Sequence, residues 1–268
     1  MTELGIVVCI KQVLHSDYYS KARIDPITKT LKREEYPAIM NPLDKHALEA
    51  ALQIKDEQGG RVTVISMGPP QTEEALREAL AMSADDAALL CDRAFAGADT
   101  LATSFALAAG IRTIHRVDLI LCGNETSDSG TGQVGPQLAV FMDIPAITYV
   151  RKIELFEDFT IRVKRTIESG YLVMETQLPA LLAVVKEVNT PRYPSLVGIA
   201  DAAKKPIRRL TAKDLNLNAA QVGVKGSPTE TEEIFTPELK KRQGEILEGS
   251  PEEVSKQLVL KLRERGVI

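Results

Sequence analysis

Residues 117–142 read VDLILCGNETSDSGTGQVGPQLAVFM, three textures in succession. Val117–Cys122 predicts a buried strand, Gly123–Gly132 a polar loop rich in glycine and small hydroxyls, and Gln133–Met142 the opening of a helix. A loop at the carboxyl end of a strand that leads into a helix presents backbone N–H groups to an anion, and the helix dipole favours a phosphate there. Within it Gly130–Gly135 (GTGQVG) spells the dinucleotide pattern G-x-G-x-x-G. That pattern belongs directly after the first strand of its unit, whereas here it follows the fourth. The position argues against a hydride-transferring Rossmann enzyme.

Upstream, strand and helix alternate. Gly5–Val13 is an apolar run suited to a strand buried on both faces, and Arg23–Arg33 (RIDPITKTLKR) reads as a small hairpin around Asp25–Lys29. A helix follows, with Asn41 as N-cap, Pro42 at its first position and Asp44 in its first turn. Ala47, Leu48, Ala51 and Ile54 are its core stripe, and Gly59–Gly60 ends it. Arg61–Met67 is the second strand. Thr72 caps the next helix, which buries Ala75, Leu76, Ala79 and Leu80. Ala87–Cys91 is a third strand, and Thr100–His115 a helix with Leu101, Phe105, Ala108 and Ile111 inward. Four alternations predict a doubly wound, mostly parallel α/β sheet.

After Pro145 the pattern changes to a β-rich second half: Ala146–Ile153, Phe159–Ile167, Tyr171–Gln177 and Ala180–Lys186. FTIRVKRTI alternates strictly, so one face of that strand is wet or paired with polar groups. Asn189–Lys205 reads as a loop and short helix. From about Asn216 the chain is extended and polar until a last helix, Pro251–Arg265, with Val254, Leu258 and Leu262 on one side. The expected division is a nucleotide-binding α/β domain over 1–215 and an arm over 216–268 that crosses to another subunit, the alternative being a loosely tethered tail.

Composition narrows the function. A net charge of -4 leaves no basic stripe for a nucleic-acid backbone, and 4% aromatics with no Trp make a poor base-stacking platform. No apolar run approaches a membrane span, and Ile6–Ile10 is too short for a signal-peptide core. Cys9, Cys91 and Cys122 lie in or beside apolar strands with no close pairing in sequence, as expected of reduced thiols in a cytoplasmic protein. His15, His46 and His115 show no ligand spacing, so no metal site and no catalytic residues are expected. In open α/β sheets ligands gather at the carboxyl ends of the strands, which here carry Cys9, Met67–Gly68 and the loop after Cys122, near the helix start at Asn41. The plainer reading of the same glycines and prolines is that they only turn the chain.

MNPLDKHALEAAL, ISMGPP, GADTLATS, DSGTGQVGPQLA and LPALLAVVKEVNTPRYPSL followed by ADAAKKPI resemble the β (small) subunit of electron-transfer flavoprotein, over most of the chain. Residues 189–205 (NTPRYPSLVGIADAAKK) are the most specific part. The resemblance implies an adenine nucleotide hydrolase-like fold and an electron carrier rather than an enzyme. In that family the α subunit carries the redox FAD, and the β subunit binds AMP or, in electron-bifurcating members, a second FAD. Carried over, Gly123, Thr126, Asp128, Ser129, Gly130, Thr131, Gly132, Gln133 and Val134 line the phosphate side. Cys9, Asn41, Met67 and Gly68 lie towards the adenosine, and Asp99–Ser104, with Thr100 and Thr103, closes the pocket.

AMP-binding members carry Asn-Gln-Thr where this chain has Gly132-Gln133-Val134, and valine cannot donate the threonine's hydrogen bond. Residues 131–136 and 99–104 instead resemble bifurcating members, which however have a basic residue and Gln-Ala-Ile where this chain has Asn124-Glu125-Thr126-Ser127. AMP and FAD both stay open, as does bifurcation with NADH. The loop with Pro191, Arg192, Tyr193 and Leu196 resembles the segment that docks an acyl-CoA dehydrogenase, in fatty acid or aromatic acid oxidation, by inserting a leucine; the alternative is that Leu196 packs inward. Leu172 stands after Gly170-Tyr171 where many members have a glutamate. Tyr18 and Tyr19 are either exposed turn residues or reach towards the α subunit's flavin, and Lys204, Lys205, Arg208 and Arg209 read as a solvated face. Expected partners are the α subunit, the dehydrogenase and a membrane quinone oxidoreductase or similar acceptor, with no nucleic acid. The rival readings are an ATP-dependent enzyme and a stress-type ATP-binding protein of related fold. The first usually shows a Ser-Gly-Gly-x-Asp-Ser loop after the first strand, where this chain has Lys11-Gln12-Val13-Leu14.

Overall fold

The computed structural model describes residues 3–21, 24–25, 30–31, 36–157, 159–230, 232 and 244–268. They form two compact units, Met1–Glu233 and Ile234–Ile268. In chain order the strands are β1 (Gly5–Cys9), β2 (Gln12–Leu14), β3 (Ile24–Asp25), β4 (Thr30–Leu31), β5 (Ala38–Met40), β6 (Arg61–Met67), β7 (Asp86–Leu90), β8 (Leu119–Gly123), β9 (Ala146–Glu157), β10 (Thr160–Ile167), β11 (Gly170–Gln177), β12 (Ala180–Val184) and β13 (Ile207–Leu210). The α-helices are α1 (Pro42–Gln58), α2 (Glu73–Ala81), α3 (Thr100–Ile111), α4 (Val134–Met142), α5 (Leu196–Ala202), the single turn α6 (Gly223–Gly226) and α7 (Pro251–Glu264).

Among the described residues nine strands make one sheet in the order β11-β10-β9-β12-β8-β1-β6-β7-β13. From β9 through β13 all neighbours are parallel, while β10 and β11 add an antiparallel edge. The β-rich second half therefore joins the sheet of the first half. β1 sits between β6 and β8, so the winding direction reverses beside it, the place where open α/β sheets generally bind ligands.

Side chains of β1 alternate between the two faces, as a strand requires. Ile6 and Val8 face a layer with Leu48, Ala51 and Leu76, whereas Val7 and Cys9 face one with Leu107, Ile111 and Leu138. Helices on both faces explain why the central strands read as continuous apolar runs. In β10, Ile161 and Val163 are buried, while Arg162 pairs with Glu175 at 2.6 Å and Lys164 with Glu154 at 2.9 Å. That is the wet face the alternation implies.

Several local expectations need correction. α3 stops at Ile111, and its buried face is Ala102, Ser104, Ala106, Leu107, Ala108, Gly110 and Ile111, not one that includes Leu101 and Phe105. Small residues let the helix lie close to the sheet, and Phe105 instead meets Phe141 edge-on, centroids 5.5 Å apart. Neither Asn41 nor Thr72 caps its helix with its side chain. The segment after α5 contains the edge strand β13, and Lys204, Arg208 and Arg209 are exposed there, the solvated basic face expected. Its arginines also have surface partners: Arg209 bonds Glu73 at 2.5 Å and Arg208 bonds Thr113 Oγ1 at 3.2 Å. Lys205 Nζ donates to Ala84 O at 2.7 Å. β3 and β4 pair as an antiparallel ladder, and the tip of that hairpin, residues 26–29, lies outside the described residues. In the second unit α7 begins with a capping box, Ser250 Oγ accepting from Glu253 N and Ser250 N donating to Glu253 Oε2 at 2.9 Å.

Leu121 is fully buried at the centre of β8. Leu121→Ala is expected to lower the unfolding free energy by about 3 kcal/mol through lost burial and a residual cavity, read as a shifted urea midpoint at unchanged slope.

Candidate functional site

The carboxyl ends of β1 and β8 are tied by one side chain. Asp44, in the first turn of α1, accepts from Lys11 N at 2.8 Å through Oδ2 and from Gly123 N at 2.9 Å through Oδ1. Those amides lie just past β1 and at the last residue of β8, where the ladder no longer serves them. Gly123 is required there because a Cβ would stand 2.5 Å from Asp44 Oδ1 and 2.7 Å from Leu43 Cβ. Asn41, one residue before the same helix, donates from Nδ2 to Glu125 O at 3.0 Å and accepts from Ser127 N at 3.1 Å. The asparagine thus caps the loop instead of the helix: its amide matches one backbone donor and one backbone acceptor.

Downstream in the loop Thr126 Oγ1 bonds Asp128 Oδ1 at 2.8 Å and Ser129 Oγ at 2.8 Å, and Lys11 Nζ reaches Asp128 Oδ1 at 2.7 Å. The ammonium balances Asp128, while Glu125, the other carboxylate of the loop, is exposed. Gly130 and Gly132 adopt left-handed φ values of 59° and 63°, which only glycine takes without strain; they turn the chain back towards α4. Asn124 is buried, its N–H on Val184 O at 2.8 Å and its Oδ1 accepting from Tyr149 N at 3.0 Å. Tyr149 has φ 56°, uncommon for a bulky residue, at a register shift between β9 and β12. At the far side Thr100 Oγ1 donates to Gln133 Oε1 at 3.0 Å and Ser104 Oγ to Val134 O at 3.1 Å, joining the first turn of α3 to the start of α4. Thr103 lies in that turn, half-buried, and Asp99 caps it by accepting from Ala102 N at 2.9 Å.

The residues expected to form a cradle therefore surround the ends of three adjacent strands. Cys9 ends β1, Met67–Gly68 end and follow β6, and residues 123–134 follow β8. Lys11 was missed by sequence reasoning, and Asp44, Asn124 and Ser104 were placed in their segments without their hydrogen-bonding roles. Their contacts across the site span 25 to 117 positions in the chain, beyond the reach of a local pattern. Cys9 and Cys122, distant in sequence, are register partners on β1 and β8. Burial pushes the Cys9 thiol up to about 12 and the Cys122 thiol well above its ordinary value, with the Asp44 charge adding in each case. Both therefore stay protonated and act as small apolar fillers. Among the described residues no group of three His, Cys, Asp or Glu could hold a metal, and no helix is long and apolar enough to cross a membrane.

A second cluster lies at the docking segment. Tyr193 is 94% exposed and Leu196 88% exposed, with Val197 and Ile199 beside them. Leu196 starts α5 yet does not pack inward. Arg192, expected to face a partner, is instead turned onto α1, with Glu49 and Asp56 as its partners. Pro191 is half-buried and bare of side-chain polar atoms. Tyr18 packs against His15 and Tyr36, ring centroids 6.2 and 5.9 Å away; the side chain of Tyr19 lies outside the described residues. Leu172 is exposed on β11, beside a Tyr171 ring that carries Lys164 Nζ 4.8 Å from its centroid.

Residues 28–215 match the electron transfer flavoprotein domain family. The chain belongs to the electron transfer flavoprotein family, as a beta subunit. It is 51% identical to the electron transfer flavoprotein subunit beta of Thermoanaerobacterium thermosaccharolyticum over 266 residues, 99% of this chain and all of that one. It is 49% identical to a subunit of the caffeyl-CoA reductase-Etf complex, CarD of Acetobacterium woodii, over 99% of this chain and all of the relative. Against the protein FixA of Azotobacter vinelandii the identity is 42%, over 90% of this chain and 87% of the other. A beta subunit of this family works in flavin-linked electron transfer with an alpha subunit and redox partners, and the readings as an ATP-dependent enzyme or stress-type protein give way to it.

Burial raises the Asp44 carboxyl from 3.8 to about 7, against the lowering by the Lys11 and Gly123 amides, the Asn41 side chain and the Lys11 charge. An acid whose folded pKa lies above its unfolded one binds more protons when folded. Its contribution to stability is thus complete below about 4 and is lost as pH rises through about 7. Asp44→Asn is expected to flatten the stability–pH curve over that window while lowering stability at pH 5, because one amide loses its acceptor. Urea titrations of both proteins between pH 4 and 8 measure it, and parallel curves contradict the assignment.

Proposed function

We propose that the cradle at the ends of β1, β6 and β8 holds an adenine nucleotide, either AMP or a second FAD, for structure and electron routing rather than bond cleavage. The observation that carries this is the loop over residues 123–134, which follows β8 next to β1 at the switch point and turns through the left-handed Gly130 and Gly132 into the start of α4. Such a loop fits a phosphate-bearing anion, and the Lys11–Asp128 pair at 2.7 Å removes the penalty of a lone carboxylate beside it. Thr126, Ser129 and the amides of 130–134 would meet the phosphate side. Asn41, Cys9 and Met67–Gly68 would shape the adenosine end, with Thr100 and Thr103 closing the rim. An FAD there would add a second centre that accepts and gives up electrons.

The same reading gives the chain a donor and an acceptor. Leu196, 88% exposed, enters a pocket on an acyl-CoA dehydrogenase-type flavoenzyme, and electrons pass through FAD on the alpha subunit to a membrane quinone oxidoreductase or similar acceptor. The caffeyl-CoA reductase-Etf relative supports a partner that acts on CoA thioesters. Residues 1–215 serve as the nucleotide-binding domain and residues 216–268 as an arm that packs on the alpha subunit, the arm's first part belonging to the same compact unit as the domain, and the compartment is the cytoplasm.

Denaturing the purified heterodimer and quantifying what it releases tests the cradle. Two flavins per heterodimer identify a second FAD, one flavin with one AMP identifies the simpler carrier, and one flavin without any second adenylate refutes the proposal. For docking, Leu196→Ala is expected to weaken the donor complex by about 1.5–3 kcal/mol, the value of one buried leucine, and to leave the heterodimer intact. Unchanged electron-transfer kinetics would remove the docking role.

A further inference from the structure

Arg192 stands in the segment that leads to Tyr193 and Leu196, yet its guanidinium faces the protein. Nε donates to Glu49 Oε2 at 2.8 Å and Nη2 to Glu49 Oε1 at 3.1 Å, a bidentate fork. Nη2 also reaches Asp56 Oδ2 at 2.8 Å, and the backbone N–H of Arg192 donates to Glu49 Oε2 at 3.0 Å. Three residues earlier, Asn189 Nδ2 donates to His46 O at 3.0 Å, and Asn189 Oδ1 lies 3.0 Å from His46 Nδ1. His46, Glu49 and Asp56 recur at helical spacing and so share one face of α1.

Glu49 is only 4% exposed. A buried carboxylate is costly unless paired and hydrogen-bonded, and here Arg192 supplies both the charge and three hydrogen bonds. A segment that merely linked β12 to α5 would not need such an anchor. The tip of the segment is unusual in the opposite sense: Tyr193 and Leu196 are 94% and 88% exposed, and Pro191 and Pro194 stiffen the backbone around them. A firmly held root thus carries an outward apolar tip.

We propose that Glu49 is a positioning residue for partner docking. It locks Arg192, and through it fixes Tyr193 and Leu196 in the pose that a dehydrogenase-type donor receives. Arg192 is a tie to α1 and makes no contact with the partner. The inference rests on the docking reading of Leu196. A loop already held in its bound pose loses little conformational entropy on association, which is where the affinity arises.

The test uses the complete heterodimer with its alpha subunit and, as donor, a short-chain acyl-CoA dehydrogenase reduced by butyryl-CoA. Glu49→Gln and Arg192→Lys are each expected to raise KM for the reduced dehydrogenase roughly tenfold, with kcat at saturation unchanged. Lysine keeps the charge but lacks the fork. Because both residues act through one link, the double variant is expected to be no worse than the poorer single one. Thermal unfolding and heterodimer yield verify folding, and Arg192→Lys keeps the question answerable if Glu49→Gln does not fold. A raised KM in Leu196→Ala alongside wild-type KM in both other variants overturns the positioning role and leaves docking in place. A raised KM in Arg192→Lys with wild-type KM in a folded Glu49→Gln makes Arg192 a direct contact and also overturns it. Wild-type KM in Leu196→Ala removes the docking reading and this inference with it.

Discussion

One carboxylate joins the two strand ends on which the cradle is built. Asp44 takes the amide of Lys11 on one oxygen and that of Gly123 on the other, so the ends of β1 and β8 and the first turn of α1 cannot move independently. Two backbone donors at the end of a parallel ladder need acceptors, and the buried Asp44 supplies both. The aspartate meets that need at the expense of burying an acid, which is why its carboxyl is pushed up to about 7. Gly123 follows from the same constraint, since any side chain at that position would collide with Asp44.

With the strand ends fixed, the rest of the loop is assembled from short-range polar contacts. Asn41 holds its near limb through Glu125 and Ser127, Lys11 its middle through Asp128, and Thr100 with Ser104 its far end at α4. The thiols at the strand ends are held protonated by burial. The polar groups of the loop are thus largely engaged with one another and with α1, α3 and α4, which fixes its course.

α1 has two roles. Its first turn organises the loop at the switch point, and it holds residues 189–192 through His46, Glu49 and Asp56. Asp44 and Glu49 stand about 7.5 Å apart along the axis at 1.5 Å per residue. One helix thereby ties both the loop after β8 and the segment that leads to Leu196.

Periodicity made the architecture legible. The alternation of apolar runs with helical stripes predicts the parallel sheet, and the strict alternation in 160–167 predicts its wet edge, because side-chain direction along a strand or helix is a local property. The textures of 117–142 likewise show that a polar, glycine-rich loop ends a buried strand. Local patterns do not reveal partners remote in the chain. Asn41 looks like a helix cap and Arg192 like a docking contact until the fold brings Ser127 to the one and Glu49 to the other. Cys9 and Cys122 look unrelated until β1 and β8 lie side by side. Composition and spacing by themselves determined the layers and the whereabouts of the loop. Only the tertiary structure decided which polar groups meet and that Leu196 points outward, because burial and hydrogen-bond pairing depend on neighbours supplied by distant parts of the chain.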